Sequence, residues 1–260
     1  MSSVITLLSD FGLQDVYVGA IEGIIAQISP ATKIIHLTHQ IPPQNLIAAR
    51  FCLLNAIPYF PDRTVHIAIV DPGVGSSRRS IAIEFTKGFL VGPDNGIFSG
   101  ILSLYPPIKV LELTNSKYWF TDNPSNTFHG RDIFAPVGAY LANGVPFKNL
   151  GRAIDINSLV SLKIPAIEIT KTGILGSIQY IDRFGNLITN IPEKALKNKK
   201  WGWQLNDEIL PSANTYSDRL PGQLVPLIGS HGWIEIAING GNARSILQLN
   251  YGDRVEIVFI

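Results

Sequence analysis

Residues 4–28 read VITLLSDFGLQDVYVGAIEGIIAQI, and the two halves of that stretch follow different periods. Residues 4–8 are a short aliphatic and β-branched run, the pattern of a strand buried on both faces. A polar turn follows. Val18, Ile21, Ile24, Ile25 and Ile28 then recur at three- and four-residue spacing, which puts them on one face of a helix over 16–28. Strand, polar turn and helix open a βα unit, and the alternation continues. The pattern predicts strands over 33–37 and 64–70, shorter strands over 81–85 and 88–91, a helix over 45–55, and another through Ile133, Val137 and Leu141. The expected fold class of this first part is α/β with a mostly parallel, partly mixed sheet. Residues 115–130 form a long polar and aromatic loop, a length at which loops are often functional.

After Gly151 the texture changes to strand-like runs at 164–169, 173–181, 187–191, 223–228, 233–238 and 254–260, separated by Gly, Pro and Asn turns. That spacing predicts a smaller all-β, barrel-like second domain. The expected division is an N-terminal domain over 1–163 and a C-terminal domain over 170–260, joined through the stretch containing Pro165.

Composition narrows the function classes. The 260 residues are 46% hydrophobic and 16% charged, too apolar for intrinsic disorder. Lys and Arg number 21 against 20 Asp and Glu, so no chain-wide basic field exists to hold a nucleic acid, and Asn198-Lys199-Lys200 reads as a solvated turn. The lone Cys52 closes no intramolecular disulfide, and no Cys/His spacing suits zinc, which fits a reducing cytoplasm. No basic leader precedes an apolar stretch, and no run approaches the ~20 apolar residues of a membrane span. A cytoplasmic, non-membrane protein is the expectation.

Three segments fall at predicted carboxyl ends of strands, where open parallel sheets bind ligands. In Ser9-Asp10-Phe11-Gly12, Asp10 either accepts hydrogen bonds from a sugar diol or caps the following turn. A kinase Asp-Phe-Gly would follow a His-Arg-Asp loop, which is missing before it. Residues 70–79, VDPGVGSSRR, project a carboxylate at Asp71 and a guanidinium at Arg78 from one loop; they lack the Gly-Lys-Ser/Thr of a phosphate loop, and a plain structural bridge is the alternative. In Thr127-Phe128-His129-Gly130-Arg131-Asp132, Asp132 suits a helix start, while His129 is placed to transfer or orient a proton. Asp71, Arg78 and His129 together would fix and activate a water molecule. No Gly-x-Ser-x-Gly elbow exists. His36 and His39 lack a third ligand and His66 alternates within a strand, so all three read as structural.

In their order, SDFGLQDVYVG at 9–19, VDPGVGSSRR at 70–79, FHGRDIFAP at 128–136, IDRFGNLITN at 181–190 and SHGWIEIAIN at 230–239 resemble the S-adenosyl-L-methionine (SAM) hydroxide adenosyltransferases, or SAM hydrolases, which are related to the SAM-dependent fluorinase and chlorinase. The resemblance implies an α/β domain, a C-terminal β-barrel, and a homotrimer with active sites between the N-domain of one subunit and the C-domain of the next. It implies Asp71, Arg78 and His129 as the water-activating triad, with Asp10 on the ribose hydroxyls and Phe184 and Asn186 around adenine. It places Asp15 and Asp182 near the methionine ammonium, Ser230 on its carboxylate, and Glu235 and Ile238 beside adenosine. Gly130 and Val74 stand where halogenating relatives carry a serine and a small hydroxyl residue, and Asp71 replaces an aromatic residue, so a water site is expected rather than a halide pocket. His231 replaces an arginine.

The implied activity is hydrolysis of SAM to adenosine and L-methionine by water attack on ribose C5′, with no cofactor and no metal, and with the R-sulfonium epimer allowed as substrate. A non-catalytic adenosine or SAM sensor and a halide-using adenosyltransferase are the alternative readings.

Overall fold

The computed structural model describes residues 3–260. Two compact units make up the chain, one ending at Leu162 and the other beginning at Lys163. The first holds a seven-stranded sheet of β1 (Val4–Ser9), β2 (Lys33–Thr38), β3 (Thr64–Ile69), β4 (Ser80–Phe85), β5 (Gly88–Pro93), β6 (Pro107–Glu112) and β7 (Arg152–Ala153). Its order is β2-β1-β3-β5-β4-β6-β7. The first four strands in that order run parallel, and β4, β6 and β7 pair antiparallel. The expected mixed α/β sheet is therefore present.

All six residues of β3 are buried, the polar Thr64 and His66 included, as expected of a central strand covered on both faces. The helices are α1 (Tyr17–Ile28), α2 (Leu46–Ala56), α3 (Ser99–Leu104) and α4 (Ala135–Ala142). Ile21, Ile24 and Ile25 of α1 and Val137 and Leu141 of α4 share a core with Ile5, Leu7 and Ile67. Each large aliphatic side chain so buried contributes roughly 1.5–3 kcal/mol. Asn45 caps α2, its side chain accepting the Ala48 amide at 3.0 Å. Because the chain leaves β1 toward β2 on one side and later returns as β3 on the other, a crevice opens beyond the carboxyl ends of β1 and β3.

The second unit is an antiparallel, barrel-like sheet: β8 (Glu168–Ile169), β9 (Gly173–Ile181), β10 (Leu187–Pro192), β11 (Trp201–Leu205), β12 (Glu208–Pro211), β13 (Leu224–Ile228), β14 (Trp233–Ile238) and β15 (Arg254–Phe259), with a short α5 (Ala243–Leu247). Ile174, Leu187, Trp203, Ile236 and Ile257 share its core. The strand expected over 164–169 shrinks to two residues, since Pro165 cannot donate to a ladder. Strands β6, β11 and β12 go beyond the sequence expectation: their Pro, Gly and charged residues hide the alternation, and the β11–β12 hairpin forms around an Asn206 in left-handed backbone. Among the described residues, no helix is long and apolar enough to cross a membrane.

Candidate active site

Asp10 and Asp71 emerge from the adjacent parallel strands β1 and β3, at one end of a cavity of about 580 Å³, well within the range of small-molecule sites. Gly12 takes a φ of +69°, which lets its amide turn back onto the His39 carbonyl at 2.8 Å. That turn presents Asp10, whose Oδ2 accepts the Gln44 amide at 2.8 Å. Asp10 thus ties two loops together rather than capping its own turn. Gln44 itself is left-handed, with φ +63°, a backbone cost typical of functional loops. Phe11, Tyr17 and Phe128 meet in tilted and edge-to-face pairs, with centroids 5.1–5.8 Å apart, and form an aromatic wall of the cavity.

The three residues singled out for water chemistry are bonded to one another. Arg78 grips Asp71 in a fork, Nε to Oδ1 at 2.9 Å and Nη2 to Oδ2 at 2.5 Å, and Nη2 also lies 2.8 Å from His129 Nδ1. Its Nη1 donates to Ser80 Oγ at 2.7 Å. The guanidinium sits over the Phe134 ring, 5.3 Å from the centroid. Arginine has no lone pair to offer, so Nδ1 of His129 must be the acceptor. A neutral His129 then carries its proton on Nε2. Burial, followed by the Arg78 charge, holds the His129 pKa below the usual histidine value, although Asp71 and Asp132 pull the other way. Asp71 and His129 both line the cavity. Arg78 braces them from behind.

The loop carrying His129 is pinned by Asp132. This fully buried carboxylate accepts Arg131 Nε at 2.6 Å and the Ser125 amide at 2.8 Å. Burial pushes its pKa up, but the Arg131 hydrogen bonds and the Ser125 amide override that and leave it low. The helix-start position expected for Asp132 holds, since it lies in the first turn of a π-helix, Gly130–Phe134, that runs into α4; instead of capping a helix amide, its carboxylate fastens the preceding loop. Gly75, with φ +77°, lets the 70–79 loop meet that loop backbone to backbone, since a Cβ there would stand 2.3 Å from the Asn126 carbonyl oxygen.

Residues 5–151 match the family model of the SAM hydroxide adenosyltransferase N-terminal domain, and residues 176–256 match that of its C-terminal domain. The chain belongs to the SAM hydroxide adenosyltransferase family. It is 36% identical to an (R)-S-adenosyl-L-methionine hydrolase of Salinispora tropica over 97% of both chains. It is also 36% identical to a hydrolase of the same name from Thermus thermophilus, over 96% of this chain and 98% of the other. A fluorinase of an Actinoplanes species is more distant, at 28% identity over 98% and 97%. A crystal structure of a Thermotoga maritima protein superposes with a TM-score of 0.91 at 34% identity, covering 97% of this chain and 99% of that one.

In this SAM hydroxide adenosyltransferase family member, Val74 and Gly130 both line the cavity, so the two positions discussed for halide contribute no side-chain hydroxyl there. Of the remaining candidates, Asp15 is exposed and outside the cavity lining. The C-terminal candidates form their own polar groups. Asp182 accepts the Phe184 and Asn186 amides at 2.9 Å and the Asn186 side chain at 3.0 Å, building a turn that leaves Phe184 74% exposed. Buried Glu235 accepts Tyr216 Oη–H at 2.7 Å and lies 3.2 Å from His231 Nε2. Ser230 is exposed and Ile238 buried. The sequence reading missed Tyr17, Gln44, Ser80 and Tyr216. Tyr17 carried a usable signal, an aromatic residue at the exposed start of α1 beside a motif already selected. Gln44 and Tyr216 enter through contacts between segments distant in sequence, and Ser80 through the Arg78 guanidinium two residues before it.

Proposed function

We propose that the protein hydrolyses S-adenosyl-L-methionine to adenosine and L-methionine by attack of water on ribose C5′. The observation that carries this reading is the Arg78 bridge, which presents an anionic Asp71 and a neutral His129 side by side at one cavity. The water donates one proton to the Asp71 carboxylate and accepts His129 Nε2–H, leaving a lone pair for C5′. As the C–O bond forms, the C5′–S bond breaks. The sulfonium departs as a neutral thioether, so no acid is needed at sulfur, and Asp71 takes the released proton. Catalysis then consists of holding and desolvating the nucleophile in line with C5′. Arg78 acts through its two partners, because its donors are directed at Asp71, His129 and Ser80.

Asp10 grips the ribose hydroxyls, and the aromatic wall of Phe11, Tyr17 and Phe128 covers the apolar side of the ligand. The R-sulfonium epimer is the proposed substrate, because four relatives at 34–36% identity are (R)-S-adenosyl-L-methionine hydrolases by name. Asp182, Phe184, Asn186, Ser230 and Ile238 complete the site from a neighbouring subunit of a homotrimer, with Glu235 bracing the strand that carries Ile238. Two observations support that completion: the cavity is lined by N-terminal residues alone, and Phe184 offers an exposed ring. SAM is made inside cells, which favours a cytoplasmic location.

The test is incubation with each SAM epimer in chloride-free buffer containing ¹⁸O water, with mass spectrometry of the nucleoside. Adenosine carrying ¹⁸O at the 5′ oxygen, from the R epimer, is expected. Product only when halide is supplied would identify a halide-using transferase, and tight adenosine binding without turnover would identify a sensor. Mixing Asp71→Asn with Phe184→Ala protomers should create a class of sites with the wild-type KM if sites are shared, and light scattering should give three times the chain mass.

A further inference from the structure

Behind the Asp10 turn, a chain of polar side chains runs from the buried end of β1 to the surface. Ser9, 2% exposed, has its Oγ 2.7 Å from His39 Nδ1, and His39 Nε2 is 2.7 Å from His36 Nδ1. His36 Nε2 in turn lies 3.3 Å from the Glu22 carboxylate on α1. The direction of this chain is fixed by chemistry at its outer end. A carboxylate only accepts, so His36 presents Nε2–H to Glu22, and the Nε2–H tautomer of that ring leaves Nδ1 as an acceptor. His39 must then donate from Nε2 and accept at Nδ1, so the Ser9 hydroxyl proton points at His39. Burial, with His36 beside it, pushes the His39 pKa down to about 4, which keeps that ring neutral.

With its proton committed, Ser9 Oγ has lone pairs free for the Phe11 amide, 3.3 Å away. The next amide, Gly12, donates to the carbonyl of the same His39 at 2.8 Å. Asp10, between the two, accepts the Gln44 amide. Residues 9–12 and 39–44 therefore hold each other at three points, and two of the three pass through His39.

We infer that Ser9, His39 and His36 are positioning residues that lock the Asp10 turn against the Gln44 segment and so fix the ribose end of the cavity. This rests on reading Asp10 as the ribose ligand. None of the three lines the cavity, so they act through Asp10 and not on the reacting atoms. The chain accounts for two buried or half-buried histidines that water activation does not use.

Two readouts separate the wiring from the function. Hydrogen exchange at the Phe11 and Gly12 amides reads the wiring without ligand: exchange should quicken in Ser9→Ala and His39→Leu, and unchanged exchange overturns the proposal. Kinetics read the role. Ser9→Ala and His39→Leu should raise the KM for SAM about tenfold, and His36→Leu about threefold, with kcat within about twofold of wild type. If His39→Leu fails to fold, Ser9→Ala and His36→Leu still decide the matter. Residues that act as one unit are non-additive, so Ser9→Ala combined with His36→Leu should be no worse than Ser9→Ala alone. Additive effects, an unchanged KM, or losses confined to kcat overturn the proposal. Should wild type bind adenosine but not hydrolyse SAM, the hydrolase reading falls by itself, and the adenosine dissociation constants of the same variants replace KM.

Discussion

Asp71–Arg78–His129 in the first unit and Tyr216–Glu235–His231 in the second are assembled from similar parts, a carboxylate with a histidine and one further donor. They are wired in opposite senses. In the first, a cation stands between the other two, bonded to Asp71 and to His129 Nδ1, so carboxylate and imidazole are both held while both still face a cavity. In the second, the carboxylate itself stands in the middle, 3% exposed, with Tyr216 Oη–H and His231 Nε2 both turned onto it. The Tyr216 hydroxyl accordingly has its pKa pushed well up, by burial and by the Glu235 charge. A bridge built on arginine leaves reactive atoms free for a ligand, whereas a bridge built on a buried carboxylate consumes them and braces a strand. Residue types alone do not distinguish these outcomes; which atom faces which neighbour does.

That contrast breaks most readily at Asp71. Asp71→Asn should lower kcat about 10³-fold, with adenosine binding kept within about threefold. It should also destabilise the fold by about 3 kcal/mol, because Arg78 is left buried without its anion. Glu235→Gln keeps an acceptor for Tyr216, so its kcat should stay within about threefold while stability falls by about 1–2 kcal/mol. Steady-state kinetics and urea titration of both variants decide the comparison, and equal kcat losses would erase the distinction between working site and brace.

Acid sharpens it next. His39 and His66 are buried, and burial lowers their pKa values to about 4 and about 3. Between pH 6.5 and those values the unfolded chain binds protons that the folded state refuses, so stability is present above pH 6.5 and is lost as pH falls. His39 alone should account for about 3 kcal/mol of that loss by pH 4. Four of the five histidines, all but His231, belong to the first unit. Hydrogen exchange followed from pH 7 to 4 should therefore show β1–β3 losing protection at higher pH than β9 and β10, and the reverse order would contradict the assignment.

The smallest effect is expected at Phe184. Its ring is 74% exposed, so Phe184→Ala should leave stability within about 0.5 kcal/mol. The KM for SAM should nevertheless rise about fivefold if the ring stacks on the ligand. A change in stability with no change in KM would make Phe184 a packing residue instead.

Much of this was legible in the chain. The period switch within residues 4–28 gave β1 and α1, and the texture change after Gly151 gave the antiparallel second unit. Asp10 and Asp71 were singled out because strand ends in parallel sheets collect ligands, a rule that needs only the order of elements, and His129 because a histidine in an aromatic-glycine loop suits proton transfer. Strands β11 and β12 were not found, since Gly202, Asn206 and Asp207 break the alternation on which a strand reading depends. His36 and His39 were recognised as structural, but their link to Ser9 spans 30 residues and leaves no local trace.

The sequence by itself determined the two architectures, the strand-end loops and the chemical types gathered on them, because periodicity and motif order are properties of neighbours along the chain. Only the tertiary structure decided that Arg78 donates to His129 Nδ1, that Asp132 fastens a loop from the first helical turn, and that His39 closes the Asp10 turn. Each of those is a hydrogen bond whose direction depends on angles and distances of a few tenths of an ångström between distant segments. Local pattern does not encode such geometry; packing does.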